Sequence, residues 1–420
     1  MKRSLKPLLT LGIAATLAFT ACSSGSSGGG SASTLNVYMN MSAGSSQNKE
    51  MKTLIEKFEK QSGTKINLTI DSGQFESNMK VKMASGNLPD VWSTHGWSVL
   101  RYSKFLEPLQ DQDWAKYTDK ALDTSMRDSD GKLYALPIEY TVTGIMTNFD
   151  VLKKAGIDPD SLKTWDDFNA ALPKIKAQGA TPIVSSGKDN GPAGDMTNEI
   201  AANAFTQEQL DSFKAGTFDA KVYQAGTMDR LAQWAQDGDF NADYVSASLD
   251  DMAKALAQGT AAFAMTQPTV LSTALSYNKD ANIGFIPFPS NNTTGQYLVG
   301  GEGVNAYGVW KDSKNKTKAL EFLSFLANPD NATPLVQSIG TYPGLTNVHA
   351  DLGSLQPSYD KYVKPGELPT KPFFDRVYLP NGMWQTMVSS ADSVITKQAT
   401  PEQAAGQMAD QFKTLYGQKG

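Results

Sequence analysis

The sequence predicts an α/β fold, and three neighbouring stretches carry that prediction. Leu35-Asn36-Val37-Tyr38-Met39 alternates apolar and polar residues, Met51, Leu54, Ile55 and Phe58 then recur at helical spacing, and Ile66, Leu68 and Ile70 alternate again. A period of two, then of 3.6, then of two reads as strand, helix, strand. A helix between two strands predicts a parallel βαβ unit, and further alternation continues to about Asn148.

Ahead of the first strand, residues 1–21 read as a secretory signal. Lys2, Arg3 and Lys6 form a charged start, and Leu8 to Phe19 form an apolar stretch too short to span a bilayer. Its end, Leu17-Ala18-Phe19-Thr20-Ala21-Cys22, resembles the bacterial lipobox, with Phe19 where that pattern usually has Leu. The resemblance implies cleavage before Cys22 and lipid attachment to it. Residues 22–33, the cysteine and a Ser/Gly run, then form a flexible tether whose root-mean-square span is about 18 Å for roughly 11 residues. Cys22 is the only cysteine of 420 residues, so the mature chain has no internal disulfide and depends on core burial.

Further along, Asp128, Asp130 and Glu139 have part of the spacing of a calcium loop, but Gly131 falls at position 4 rather than 6, so Asp130-Gly131 reads as a turn between strands. Thr164-Trp165-Asp166-Asp167-Phe168 predicts a capped helix start, the Thr164 hydroxyl accepting a backbone N–H and the acids lying near the positive dipole end. From there to about Gln258 the pattern is mainly helical. Strand-like stretches return at Ala261–Met265, Ile283–Phe288 and Val304–Trp310. A helix carrying Leu320, Leu323 and Leu326 follows, closed by Asn328-Pro329.

Composition excludes several functions. The chain has 38 Lys and Arg against 43 Asp and Glu; the leader holds three of the positive charges and no acid, so its removal takes the formal charge from −5 to about −8. No basic run could neutralise several phosphates, which argues against nucleic acid as a partner. No later apolar stretch reaches 18 residues, so no membrane span is expected after the leader. With His95 and His349 the only histidines, no metal site and no cofactor are expected.

A set of motifs then resembles the extracellular solute-binding proteins of ATP-driven importers, in the carbohydrate group that includes maltose-binding protein. They are Gly86-Asn87-Leu88-Pro89-Asp90-Val91-Trp92, Asp130-Gly131-Lys132-Leu133-Tyr134-Ala135-Leu136-Pro137, Asn148-Phe149-Asp150-Val151-Leu152-Lys153-Lys154-Ala155-Gly156, Gly259-Thr260-Ala261-Ala262-Phe263-Ala264-Met265 and Gly300-Gly301-Glu302-Gly303. The resemblance implies two α/β lobes with a ligand cleft at a multi-crossing hinge, residues 34–139 with 301–346 in one lobe and 145–299 with 350–420 in the other. Crossings are expected near Glu139–Gly144, Gly300–Gly303 and Thr346–Ala350. Glycines suit such a crossing because they tolerate positive φ and close backbone approach; without a following helix they are poor evidence for a nucleotide loop. The family also implies a carbohydrate ligand, a membrane permease as partner, a monomer, and a place on the outer face of the cell membrane.

A sugar needs a flat apolar surface for its C–H faces and forked donors and acceptors for its hydroxyls. His95 and Trp97, in the loop after Pro89-Asp90, are the expected cleft residues there, with Trp92 either ligand-facing or core. Glu139 and Tyr140 are expected at the first crossing. Trp384 stands where the family has a sugar-stacking tryptophan. Gln267 stands in Thr266-Gln267-Pro268-Thr269 where relatives often carry a Gly-Trp loop. Asn40, at the exit of the first strand, and Glu302 complete the polar candidates. Binding without chemistry is the expected activity. A lipid-anchored glycoside hydrolase would also need cleft carboxylates, and a glycan-binding adhesin would also need exposed aromatics.

Overall fold

The computed structural model describes residues 34–417 apart from 42, 72, 73, 190, 268, 269, 292–294, 303 and 304, and no side-chain detail of Trp97, Thr124, Ser272, Gly301 or Glu302. The signal, Cys22 and the tether therefore lie outside the described residues, as do the side chains of Trp97 and Glu302.

The expected βαβ unit forms. β1 (Thr34–Asn40) pairs in parallel with β2 (Lys65–Asp71), from Thr34 beside Lys65 to Asn40 beside Asp71. The helix Ser46–Ser62 joins them, its first turn capped by the Ser45 side chain and its end closed by Gly63 at φ 69°. Leu35, Val37 and Met39 of β1 pack with Met51, Leu54 and Phe58 of that helix, while Tyr38 points into a second cluster with Phe75 and Met79. Both faces of β1 are thus covered, as a parallel sheet requires.

β3 (Val91–Ser93) adds to the other side of β1, and β4 (Leu136–Pro137) and β11 (Ala306–Val309) complete a five-stranded sheet in the order β2-β1-β3-β11-β4. Asp90 ties this edge together: its carboxylate accepts from the Asn36 backbone N–H at 2.8 Å and from the Ser313 hydroxyl at 2.5 Å.

A second sheet has the order β7-β8-β6-β9, formed by β6 (Ile145–Asn148), β7 (Thr181–Ile183), β8 (Ala261–Ala264) and β9 (Ile283–Ile286). β7 interrupts the stretch read as mainly helical; its three residues, one of them proline, are too few to show a period. Against this sheet lies the helix Trp165–Ala177, whose Thr164 and Asp167 form the reciprocal cap expected from their spacing. Trp165, Phe168, Trp234 and Phe263 form the aromatic centre of this core.

The chain passes between the two sheets through a third. β4, β5 (Glu139–Thr143) and β6 follow one another with single-residue joints, and β10 (Leu298–Glu302) runs antiparallel to β5 on the way back to β11. β12 (Tyr342–Pro343) and β13 (Thr370–Lys371) flank this pair. Two glycines are required here by space. A Cβ on Gly300 would lie 2.0 Å from the Thr141 carbonyl oxygen, and one on Gly144 would lie 2.0 Å from that of Ile286. At Gly300 the requirement is close approach, since its φ is not among the positive ones.

Candidate ligand cleft

A cavity of about 500 Å³ lies where the first lobe faces the second, with Glu76, Lys80 and Arg101 on one wall and Arg376, Asn381 and Trp384 on the other. That volume is in the range of small-molecule sites, roughly 300–1,000 Å³.

On the first wall a polar chain leads out from β1. The Asn40 amide nitrogen is 2.8 Å from His95 Nε2, and the same nitrogen of His95 is 3.5 Å from Glu76 Oε1. Glu76 Oε2 accepts from Arg101 Nη1 and from the Tyr102 hydroxyl, and Arg101 Nη2 donates to Asn381 Oδ1 on the opposite wall. His95 has φ 50°, a left-handed conformation that a non-glycine residue adopts at a cost of order 1 kcal/mol. The resulting turn, His95–Trp97, places its ring against Phe75, edge to face at 6.0 Å.

On the second wall Trp384 opens the helix Trp384–Ile395 and is half-buried. Room for its indole comes from Gly194, where a Cβ would lie 3.0 Å from Trp384 Cη2 and 2.6 Å from Val388 Cγ2. The next residue, Asp195, is buried in the first turn of the helix Pro192–Ala201 and accepts from Thr266 Oγ1 at 3.2 Å and Gln267 Nε2 at 3.4 Å. Burial pushes its carboxyl up to about 6, against the opposing pull of those two hydrogen bonds and of Arg376. Glu199, one turn deeper, is fully buried and neither carboxyl oxygen has a hydrogen-bond partner among the described residues. Burial, and then the nearby Asp195, hold it well above the usual carboxylate range. Asn198 and Asp375 exchange two hydrogen bonds, 2.7 and 2.9 Å, and Arg376 Nη1 pairs with Asp375. Among the described residues no group of three or more His, Cys, Asp or Glu is placed to hold a metal ion.

Residues 53–364 match the profile of the bacterial extracellular solute-binding proteins. The chain belongs to that family. It is 29% identical over 394 residues to the melibiose/raffinose/stachyose-binding protein MelE of Bacillus subtilis, covering 92% of this chain and 90% of that one. Two solved structures share the fold closely. A binding protein of Bacillus subtilis in an open conformation superposes with a TM-score of 0.84 at 28% identity, over 92% of this chain and 98% of that one. A sugar transporter of Bacillus licheniformis in complex with stachyose does so with a TM-score of 0.80 at 28% identity, over 91% and 100%.

In this solute-binding protein Trp384 lines the cleft itself, Asn40 and His95 lie behind Glu76 of the first wall, and Gln267 bonds to Asp195, the residue after the Gly194 on which Trp384 packs. Three expected residues fall elsewhere. Trp92 is fully buried, its ring meeting Tyr102 edge to face at 6.1 Å, because Phe75, Tyr102 and Leu106 pack with it in one cluster on that face of the sheet. Glu139 is buried at the lobe crossing, where its Oε1 accepts from the Asn305 backbone N–H at 2.7 Å, next to the start of β11. Tyr140 packs into the core beside Tyr342 at 5.7 Å, and burial raises its phenol above the usual range.

Sequence reading missed Glu76, Arg101, Asp195, Asp375, Arg376 and Asn381. Asp195 had one available signal: it and Glu199 are the only charges in the run Pro192–Ala202. Asn381 stands three residues before Trp384, already a candidate.

Proposed function

We propose that this solute-binding protein captures a neutral oligosaccharide in its cleft and hands it to the permease of an ATP-driven importer, held at the outer face of the membrane by lipid on Cys22 and acting as a monomer. The observation that carries this reading is the composition of the second wall. An aromatic ring, Trp384, packs on Gly194, and the next residue, Asp195, is a buried carboxyl bonded to the Gln267 amide, the types of group that a sugar's C–H face and hydroxyls require. Each cleft arginine is ion-paired, Arg101 with Glu76 and Arg376 with Asp375, which favours an uncharged polyol over a phosphate ester. The ligands named for the relatives, melibiose, raffinose and stachyose, support the same class. Capture then consists of lobe closure over the solute, with no bond broken.

Calorimetry of the purified mature protein against melibiose, raffinose, stachyose, maltotriose and glycerol phosphate tests the reading. A galactose-containing oligosaccharide binds, and chromatography of the mixture finds it intact. Binding of the phosphate ester alone, or release of free sugar, overturns the proposal. Cys22→Ala leaves the affinity unchanged and releases the protein from the membrane fraction; continued membrane retention would refute the lipid anchor.

A further inference from the structure

We propose that solute capture in this cleft is coupled to release of a proton from Asp195, so that the receptor binds tightly at neutral pH and loosens as the medium turns acidic. The inference rests on the oligosaccharide reading above and assigns a regulation to the same site.

The geometry starts from one helix. Asp195 and Glu199 are four residues apart on Pro192–Ala201, hence on one face, and every residue of that helix is buried. Asp195 faces the 266–267 segment and follows Gly194, on which Trp384 packs, while Glu199 lies one turn on with no hydrogen-bond partner for either oxygen among the described residues. The other charges around them are few. Asp375 and Arg376 face Asp195 from the short helix Phe374–Val377, where Asp375 is bonded to Asn198 and paired with Arg376. The helix Trp384–Ile395 contributes only Asp392, which accepts from the Tyr244 hydroxyl, and the turn Gln224–Met228 contributes no charge. Tyr297 meets the deeper end of the helix by donating its hydroxyl to the Glu199 carbonyl at 3.1 Å.

Asp195 and Asp375 thus face one guanidinium, that of Arg376, while Glu199 lies one turn beneath Asp195, and all three carboxyl groups are largely shielded from water. Ionising all three would leave two buried negative charges uncompensated, so protons are retained. Arg376 pairs with Asp375, and burial without a hydrogen-bond donor holds the Glu199 carboxyl well above the usual range. Asp195 is the group in balance: buried, yet supplied with two side-chain donors and the positive end of a helix. Its position near 6 agrees with that balance.

A sugar hydroxyl that donates to Asp195 favours the carboxylate and expels the proton. Ligand and proton then compete, and with one proton involved the affinity at pH 5 is about tenfold weaker than at pH 7. A histidine, His95, stands beside Glu76 on the opposite wall, so the assignment needs variants.

The test is calorimetry of the whole mature protein with raffinose at pH 5, 6, 7 and 8, each in two buffers of different ionisation enthalpy. Wild type shows the tenfold weakening and releases close to half a proton per raffinose at pH 6. Asp195→Asn flattens the profile, whereas His95→Gln and Glu199→Gln keep its slope. Equal affinity from pH 5 to 8 with no proton released overturns the coupling, and a slope that survives Asp195→Asn or vanishes with His95→Gln overturns its assignment to Asp195. If Asp195→Asn does not bind, the wild-type proton count and the retained slope of His95→Gln decide the matter. Failure of every sugar at every pH would instead reject the oligosaccharide reading, leaving a result distinct from a pH-independent affinity.

Discussion

Arg101 reaches across the cleft: one guanidinium nitrogen donates to Asn381 of the second lobe while the other is held by Glu76 of its own. The side chain is nearly buried, with 10% exposure, so removing it leaves Glu76 without its ion-pair partner and breaks a direct lobe-to-lobe contact. Arg101→Ala is expected to weaken raffinose binding by roughly tenfold, the equivalent of about 1.4 kcal/mol. Solution scattering with saturating raffinose should show a larger radius of gyration than wild type, and Asn381→Ala should reproduce that expansion with the Glu76 pair intact. Wild-type scattering curves for both variants would remove this contact from lobe closure.

Trp384 is expected to be the main stacking surface. Trp384→Ala should cost about 2 kcal/mol or more of binding, some thirtyfold in Kd, and Trp384→Phe should recover part of it. Calorimetry gives the loss. Undiminished affinity would take the indole out of the site.

Gly194 sets where that indole lies. In Gly194→Val the new carbon atoms would start 2.6 Å from Val388 Cγ2 and 3.0 Å from Trp384 Cη2, an overpacking expected to cost about 1–3 kcal/mol of stability. Affinity should fall along with the melting temperature. A variant with lowered melting temperature and wild-type Kd would show that the ring's position is independent of residue 194.

Trp92 belongs to the core rather than the cleft. Trp92→Ala should lose about 3–5 kcal/mol in urea unfolding, with little change in raffinose affinity per folded molecule. Selective loss of affinity at undiminished stability would restore the residue to the ligand site.

Glu199 makes stability pH-dependent in a definite direction. Its folded-state carboxyl is held well above the usual range by burial, so above the unfolded chain's value of about 4.5 the folded protein holds one more proton than the unfolded one. This group's contribution is therefore fully present at low pH and declines as pH rises toward its folded value, at up to about 1.4 kcal/mol per pH unit. Glu199→Gln carries no such proton, so its stability relative to wild type should increase from pH 5 to pH 8 in urea titrations. A constant difference across that range would mean that Glu199 is ionised in the folded protein.

Much of the fold was legible because its signals are local. The periods of Leu35–Met39, of Met51 to Phe58 and of Ile66–Ile70 specify β1, its helix and β2, since each residue's exposure there follows from a neighbour two to four positions away. The cap at Thr164 is equally local, closing a turn within three residues. The three-residue strand β7 was not legible, being shorter than any period it could display.

The site divides along the same line. The sequence by itself determined the two-lobed α/β architecture, the family, and that an aromatic residue and polar partners are available near the crossings. Only the tertiary structure decided which of them meet. Trp92 and Trp384 look alike in sequence, but Phe75, Tyr102 and Leu106 pack around one, while the space at Gly194 accommodates the other. Glu139 was claimed by Asn305, 166 residues away, before it could face the cleft, and Arg101 meets Asn381 across 280 residues. The physical reason is that a ligand wall is assembled from the ends of elements that the sheets bring together from distant parts of the chain. Whether a side chain there is buried, paired or presented depends on the element packed over it, which no local pattern encodes.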